Sequence, residues 1–281
     1  MKNGIDISKW QGAPDWDKLK RQHESGKLDF IIMRAGYGAG VIDPRFEANY
    51  KEATERGIPL GAYWYAYWKV APTKEAQAFL AAVDGKNLKY GIWYDVEYEA
   101  SITNLDKATR TAKTLEALQV LSASGRYVGL YASTDMINNR LDYARLRGYD
   151  IWVAQYGSRN TCKMPYGLWQ YTSRGVMPGI GGNVDCDRAY KDYSAFIVGK
   201  LATGTAADTV TDLPGEATTP RVTKTLRIGP ATKGDLEALL SKAKELSLYS
   251  VGTLDIGPMT EGDVATIQTT AAALGLSVEE V

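Results

Sequence analysis

The chain has 281 residues, and its 33 Lys and Arg balance 33 Asp and Glu to a formal net charge of zero; its hydrophobic and charged fractions are those of an ordinary globular protein. One histidine and two cysteines are too few for a zinc site of two or three His ligands, and HExxH and CxxC motifs are missing, so no metal or cofactor is expected. No run approaches a membrane span or resembles a signal peptide, which predicts synthesis in the cytoplasm and neither a membrane nor a nucleic acid as partner.

Taken in chain order, residues 1–150 alternate β-rich runs with helical patterns, the signature of successive βα units around a parallel sheet. Strands are predicted near 4–8, 30–36, 60–67, 90–97, 127–133 and 151–156. Helices are predicted over 16–24, 44–56, 73–83, 105–124 and 134–147, with Pro44 and Pro72 in first turns, where proline is tolerated. The lone His23 falls on the polar stretch 15–27 and reads as a solvated surface residue, so any proton chemistry falls to carboxylates. After residue 156 the helices nearly vanish, yet 167–171 and 183–187 read as strands. The result is an α/β barrel of eight strands and about five helices, irregular in its last third.

Cys162 and Cys186 lie 24 residues apart; a disulfide or two buried thiols would fit, and a cytoplasmic origin favours thiols. Residues 202–220 are small and polar and read as a linker. Beyond them Leu226-Arg-Ile-Gly-Pro-Ala-Thr-Lys-Gly-Asp235 aligns with Leu254-Asp-Ile-Gly-Pro-Met-Thr-Glu-Gly-Asp263, a repeat of period 28. Each copy reads as a strand, a Gly-Pro turn and a helix, so 221–281 is expected to form a small α+β two-repeat domain. Two such units bury little by themselves, which raises homodimerisation through this domain as an expectation. Charge divides between the parts: residues 1–201 hold 27 Lys and Arg against 22 Asp and Glu, whereas 202–281 hold 6 against 11. A mildly basic first part suits an anionic surface such as a bacterial wall, and equally suits no role at all.

The chemistry concentrates at strand ends. In Tyr90-Gly-Ile-Trp-Tyr-Asp95-Val-Glu97 an apolar run ends in two carboxylates two residues apart, which places both on one face of a strand at the end where a barrel carries its active site. Asp6 ends the first strand, and Asp185 with Asp187 ends the last. First and last strands of a closed barrel are neighbours, so Asp6 and Asp185 should converge. Four carboxylates at one mouth exceed what a structural core carries, and paired carboxylates are the tools of glycosidic bond cleavage.

Residues 1 to about 200 resemble the glycoside hydrolase family 25 lysozymes, the Chalaropsis-type N-acetylmuramidases of bacteria and phage endolysins. The resemblance is carried by Gly4-Ile-Asp6-Ile-Ser8-Lys-Trp10-Gln11, Phe30-Ile-Ile-Met-Arg34-Ala-Gly-Tyr37-Gly, Gly61-Ala-Tyr63-Trp-Tyr65, Tyr94-Asp95-Val-Glu97, Trp152-Val-Ala-Gln155-Tyr156, Leu168-Trp169-Gln170-Tyr171 and Val184-Asp185. It implies a TIM-like (βα)5β3 barrel over 1–201 acting on bacterial peptidoglycan, with Glu97 as general acid and Asp95, Asp6 and Asp185 as the other acidic site residues. It further implies substrate contacts from Tyr63, Tyr65, Arg34, Trp10, Tyr131, Gln155, Trp169 and Gln170. For several of these a plainer reading stands beside it: Tyr63, Tyr65, Trp10 and Trp169 as core, Arg34 as a counter-ion to an acidic neighbour. Asp187 departs from the pattern, since members commonly have Asn there; its charge either raises a neighbour's pKa or faces away. Asp95 has two possible tasks, direct attack or assistance to the substrate's 2-acetamido group, and the shared strand face favours assistance. A non-catalytic wall-binding protein and a hydrolase of another 2-acetamido polymer such as chitin are the rival readings. The tail faintly resembles sporulation-related wall-binding repeats, and the absence of a leader suits an endolysin released through a holin-made hole.

Overall fold

The computed structural model describes residues 1–191 and 193, so the linker and two-repeat expectations lie outside the described residues. Short apolar runs bounded by turns form nine strands: β1 (Lys2–Ile7), β2 (Phe30–Tyr37), β3 (Val41–Ile42), β4 (Leu60–Tyr65), β5 (Ile92–Asp95), β6 (Val128–Ser133), β7 (Asp150–Ala154), β8 (Leu168–Gly175) and β9 (Val184–Ala189). The sheet order is β1-β9-β8-β7-β6-β5-β4-β2-β3, and β1 also pairs with β2, which closes eight strands into a barrel with β3 as an appended hairpin arm. Neighbours from β1 through β2, β4, β5, β6 and β7 to β8 are parallel, as alternating βα units require. β9 runs antiparallel to both β8 and β1. Asp185 therefore sits at the start of its strand rather than at its end, and the reversal delivers it to the same rim as the C-terminal ends of the others.

Four helices pack outside the barrel much as predicted: α1 (Trp16–Glu24), α2 (Phe46–Glu55), α3 (Pro72–Ala82) and, after the short α4 (Ala100–Thr103), α5 (Lys107–Ser122). Local chemistry fixes their starts. Asp15 caps α1 by accepting from the Lys18 amide at 3.0 Å, and Asp106 caps α5 by accepting from Thr109 at 2.8 Å. Pro72 occupies the first turn of α3. Pro44 precedes α2 instead, because Asp43 forms a turn there with its carboxylate on the Arg45 amide. His23 is half-buried rather than solvated, with Nδ1 2.8 Å from the Leu28 carbonyl, on the helix and away from the strand ends.

The helix predicted over 134–147 is broken into a π-turn at Met136–Arg140 and a 3-10 turn at Tyr143–Leu146. Its polar residues bond outward: Asn138 donates to the Thr161 carbonyl at 3.0 Å and accepts from the Lys163 amide at 2.8 Å, while Arg110 donates to the Arg140 carbonyl at 2.7 Å. Asp142 then caps the second turn on the Ala144 amide. Arg110 and Asp142 thus take a carbonyl and an amide, those of Arg140 and Ala144, that a continuous helix would use itself.

Two cores flank the sheet. Leu, Ile and Val from the outer strand faces meet the helices, and a second cluster fills the barrel with Phe30, Ile32, Tyr90, Trp93, Tyr131, Trp152, Leu168 and Tyr193. The period of two sorts these residues, with Trp93 and Asp95, Leu168 and Gln170, Asp185 and Asp187 pointing inward on their strands. Gly129 permits the tight fit, since a Cβ there would lie 2.2 Å from the Trp93 ring. Both cysteines are free thiols, Cys162 half-buried and Cys186 buried. Among the described residues no helix is long and apolar enough to cross a membrane.

Candidate active site

The inward alternation that fills the lower barrel with aromatics changes to polar residues near the rim. Asp6 and Asp185 are direct register partners on β1 and β9. β5 ends at Asp95, but the Val96 amide still bonds the Tyr131 carbonyl at 2.9 Å, so the extended path continues and Glu97 emerges above Asp95. A cavity of about 120 Å3 is lined by Asp6, Tyr63, Asp95, Glu97, Tyr131, Trp152, Tyr156, Gln170 and Asp185. It brings together all four expected carboxyls with Tyr63, Tyr131 and Gln170.

Burial governs the electrostatics. Desolvation, then Asp185 and Glu99, raise Glu97 to about 7. Asp95 is 2% exposed and is pushed well above the usual range by burial and then by Glu97, an effect that Arg34 offsets in part. Its Oδ1 has no hydrogen-bond partner among the described residues. Burial raises Asp185 to about 6. Asp6 is also held well up by burial and by Asp187 and Asp185, although Gln170 Nε2 donates to its Oδ2 at 2.8 Å. The orientation of Gln170 follows from its neighbours, because its Oε1 accepts from the hydroxyls of Tyr131 at 2.9 Å and Tyr156 at 3.2 Å.

A second cleft of about 300 Å3 is lined by Lys9, Trp10, Arg34, Tyr37, Tyr65 and Tyr67. Trp10 is 76% exposed, so it is not core, and the Lys9 ammonium lies 4.7 Å from its ring centroid. Arg34 is the counter-ion that its plainer reading describes: it pairs with buried Asp43 at 2.7 Å, and Asp43 also accepts from the Lys9 amide at 3.1 Å. The Tyr65 hydroxyl donates to Glu99 at 2.9 Å. Buried Glu75 accepts from the Tyr67 and Trp68 amides and from the Tyr94 hydroxyl, which holds the β4–α3 loop where Tyr67 enters this cleft.

Two predicted contact residues line neither cleft. Trp169 lies on the opposite face of β8 from Gln170, is 4% exposed and donates to the Gln155 carbonyl at 2.7 Å. Gln155 spends its side-chain oxygen on Thr134 and on the Thr161 amide, holding the loop after β7. Conversely Trp152 and Tyr156 line the cavity although only their motif, not a role, had singled them out. Asp187 does not face away: it is fully buried inside the barrel, where Trp152 Nε1 donates to its Oδ1 at 2.8 Å. An inward residue two after Asp185 was the available signal.

The sequence profile of the glycosyl hydrolases family 25 matches residues 5–180. The chain belongs to this family. Among its relatives is lysozyme M1 of Streptomyces globisporus, 27% identical over 218 residues that cover 65% of each chain. The modular autolysin LytC of Streptococcus pneumoniae, solved in complex with a synthetic peptidoglycan ligand, superposes with a TM-score of 0.60 at 29% identity, covering 66% of this chain and 46% of LytC. The catalytic domain of endolysin ply40, from bacteriophage P40 of Listeria monocytogenes, superposes with a TM-score of 0.59 at 26% identity, covering 71% of this chain and 98% of that domain. The family 25 barrel is thus a glycoside hydrolase of the lysozyme type, and the carboxyl-lined cavity lies at the rim where the family's fold gathers its strand ends.

Proposed function

We propose that this family 25 hydrolase is an N-acetylmuramidase that cleaves the β-1,4 bond after N-acetylmuramic acid in bacterial peptidoglycan with net retention. The observation that carries the reading is the pairing of Glu97, raised to about 7, with buried Asp95, whose Oδ1 is unpartnered beside the cavity. Near neutral pH a substantial fraction of Glu97 holds a proton to give to the leaving oxygen. The free Asp95 oxygen suits the N–H of a substrate 2-acetamido group, orienting that group's oxygen to attack the anomeric carbon. Both residues approach from one strand and so from one side of the sugar, which favours assistance over direct attack by Asp95. Asp6 and Asp185 complete the acidic wall, Tyr63, Tyr131 and Gln170 shape the cavity, and Trp10 with Tyr65 and Arg34 extends the groove.

Digestion of purified peptidoglycan, followed by borohydride reduction and mass spectrometry, is expected to yield reduced muramic ends with the wild type and none with Glu97→Gln. Reduced glucosamine ends would assign the other bond. By NMR the β-anomer should appear first; initial release of the α-anomer would overturn retention. The likeness to a phage endolysin supports a role in host lysis, with release from the cytoplasm through a holin-made hole. Residues 221–281 are proposed to attach the enzyme to the wall, with homodimerisation as the alternative. Deleting them should weaken wall binding, and an undiminished pull-down on wall fragments would remove the attachment role.

A further inference from the structure

Asp187 lies beneath the four acidic residues that line the cavity, and the mechanism above does not use it. Antiparallel pairing of β1 and β9 puts it across from Gly4, one inward step below the Asp6–Asp185 pair. Both side chains point inward from paired strands, and Gln170, the register partner of Asp187 on β8, bonds Asp6, so the two carboxyls are neighbours and the charge of Asp187 acts on Asp6. The remaining groups on this pair are accounted for: Trp152 donates to Asp187 Oδ1 at 2.8 Å, and Gln170 donates to Asp6 Oδ2 at 2.8 Å. Asp187 Oδ2 receives no N–H or hydroxyl donor among the described residues. Two ionised carboxylates cannot bond each other, whereas one proton between them forms a strong O–H···O⁻ bond and supplies the missing donor.

We propose that Asp6 and Asp187 share one proton on the active-site floor, and that Asp187 is a positioning residue that locks Asp6 against Gln170. Among the described residues no cationic side chain acts on either carboxyl. Facing the pair are Asp185 on β9 and Asp95 on β5, both acidic, with Glu97 above them. Tyr131 on β6, Trp152 on β7, Gln170 on β8 and Tyr63 on β4 are uncharged, and Arg34 on β2 is committed to Asp43. Burial, the largest influence on both Asp6 and Asp187, favours keeping the proton. The lock reaches the mouth of the site, because Gln170 turns its oxygen to Tyr131 and Tyr156 only while its amide nitrogen is held by Asp6. When the proton leaves, two buried anions repel, Asp6 loosens, and both tyrosines lose their fixed acceptor.

Asp187→Asn tests this, because an amide donates to Asp6 and accepts from Trp152 at every pH. In 1H–15N spectra of the full chain the Trp152 indole signal, identified by its loss in Trp152→Phe, should move with pH in the wild type. Its midpoint should lie well above the ordinary carboxylate range, and the movement should be absent in Asp187→Asn. A midpoint in the ordinary range, or an indole that titrates alike in both proteins, overturns the shared proton; the wild-type titration decides even if the variant does not fold. The ratio of peptidoglycan hydrolysis at pH 8.5 to that at pH 6.5 should be about threefold or more higher in Asp187→Asn than in the wild type, and equal ratios would overturn the positioning role. Only this last readout rests on the muramidase reading, so failure to hydrolyse peptidoglycan beside a titrating Trp152 would fault the substrate and not the shared proton.

Discussion

The floor and the mouth of the barrel are built by the same strands with the same inward alternation, yet they hold opposite chemistry. On the floor Trp93 meets Trp152, Tyr127 and Tyr193 with ring centroids 5.9–6.5 Å apart in tilted or edge-on contacts, and its indole N–H is satisfied by the Tyr90 carbonyl at 2.8 Å. One step up, Asp95 is as deeply buried but keeps an unpartnered oxygen and a raised pKa. The aromatic layer around Trp93 is packed and satisfied, whereas the layer above it holds buried carboxyls at a cost to stability, as sites preorganised for proton transfer do. Substitutions in the two layers should therefore act in opposite directions on stability.

The largest effect is expected from Glu97→Gln, which should lower the rate by roughly 10²–10⁴-fold. The same change should stabilise the fold. Glu97 titrates at about 7 in the native state against about 4.3 unfolded, so the native state binds the extra proton and stability is lost as pH rises through that window. Removing the charge should return on the order of 2 kcal/mol at pH 8, allowing for its partial exposure, seen as a higher Tm. A lower Tm would erase the contrast between the layers. Trp93→Ala should instead cost about 3–5 kcal/mol by leaving a cavity in the floor, and denaturant melts showing little loss would contradict a packed floor. Gly129→Ala forces a methyl against the Trp93 ring, which is 2.2 Å away, and should cost about 1–3 kcal/mol. The smallest change belongs to Trp10→Ala at the exposed rim: stability within about 0.5 kcal/mol of wild type, with KM raised a few-fold and kcat held if the ring contributes only uniform binding.

The same contrast explains what could be read in advance. Four of the five predicted helices and all eight barrel strands were legible because apolar period and caps such as Asp15 and Asp106 act locally. The fifth helix was not, since the Arg140 carbonyl is claimed by Arg110, 30 residues away in the chain. The convergence of Asp6, Asp95, Glu97 and Asp185 followed from strand ends and closure. The direction of β9 did not, because its six residues carry no mark of polarity, and with it went the true place of Asp187. Trp10 and Trp169 look alike as sequence, yet a short 3-10 turn after β1 exposes one and the outer face of β8 buries the other. That distinction depends on which strand face the pleat presents, and a one-residue shift of register reverses it.

The central claim is that burial and neighbouring carboxyls keep Glu97 protonated near neutrality so that it serves as the acid. Measuring kcat/KM of the wild type on soluble peptidoglycan fragments from pH 4 to 9 tests it directly, because this parameter reports the free enzyme's essential groups. The rate should hold on the acid side of a break and fall tenfold per pH unit above about 7, where Glu97 loses its proton. A fall beginning near the ordinary glutamate value, or a rate that stays level to pH 9, would contradict it.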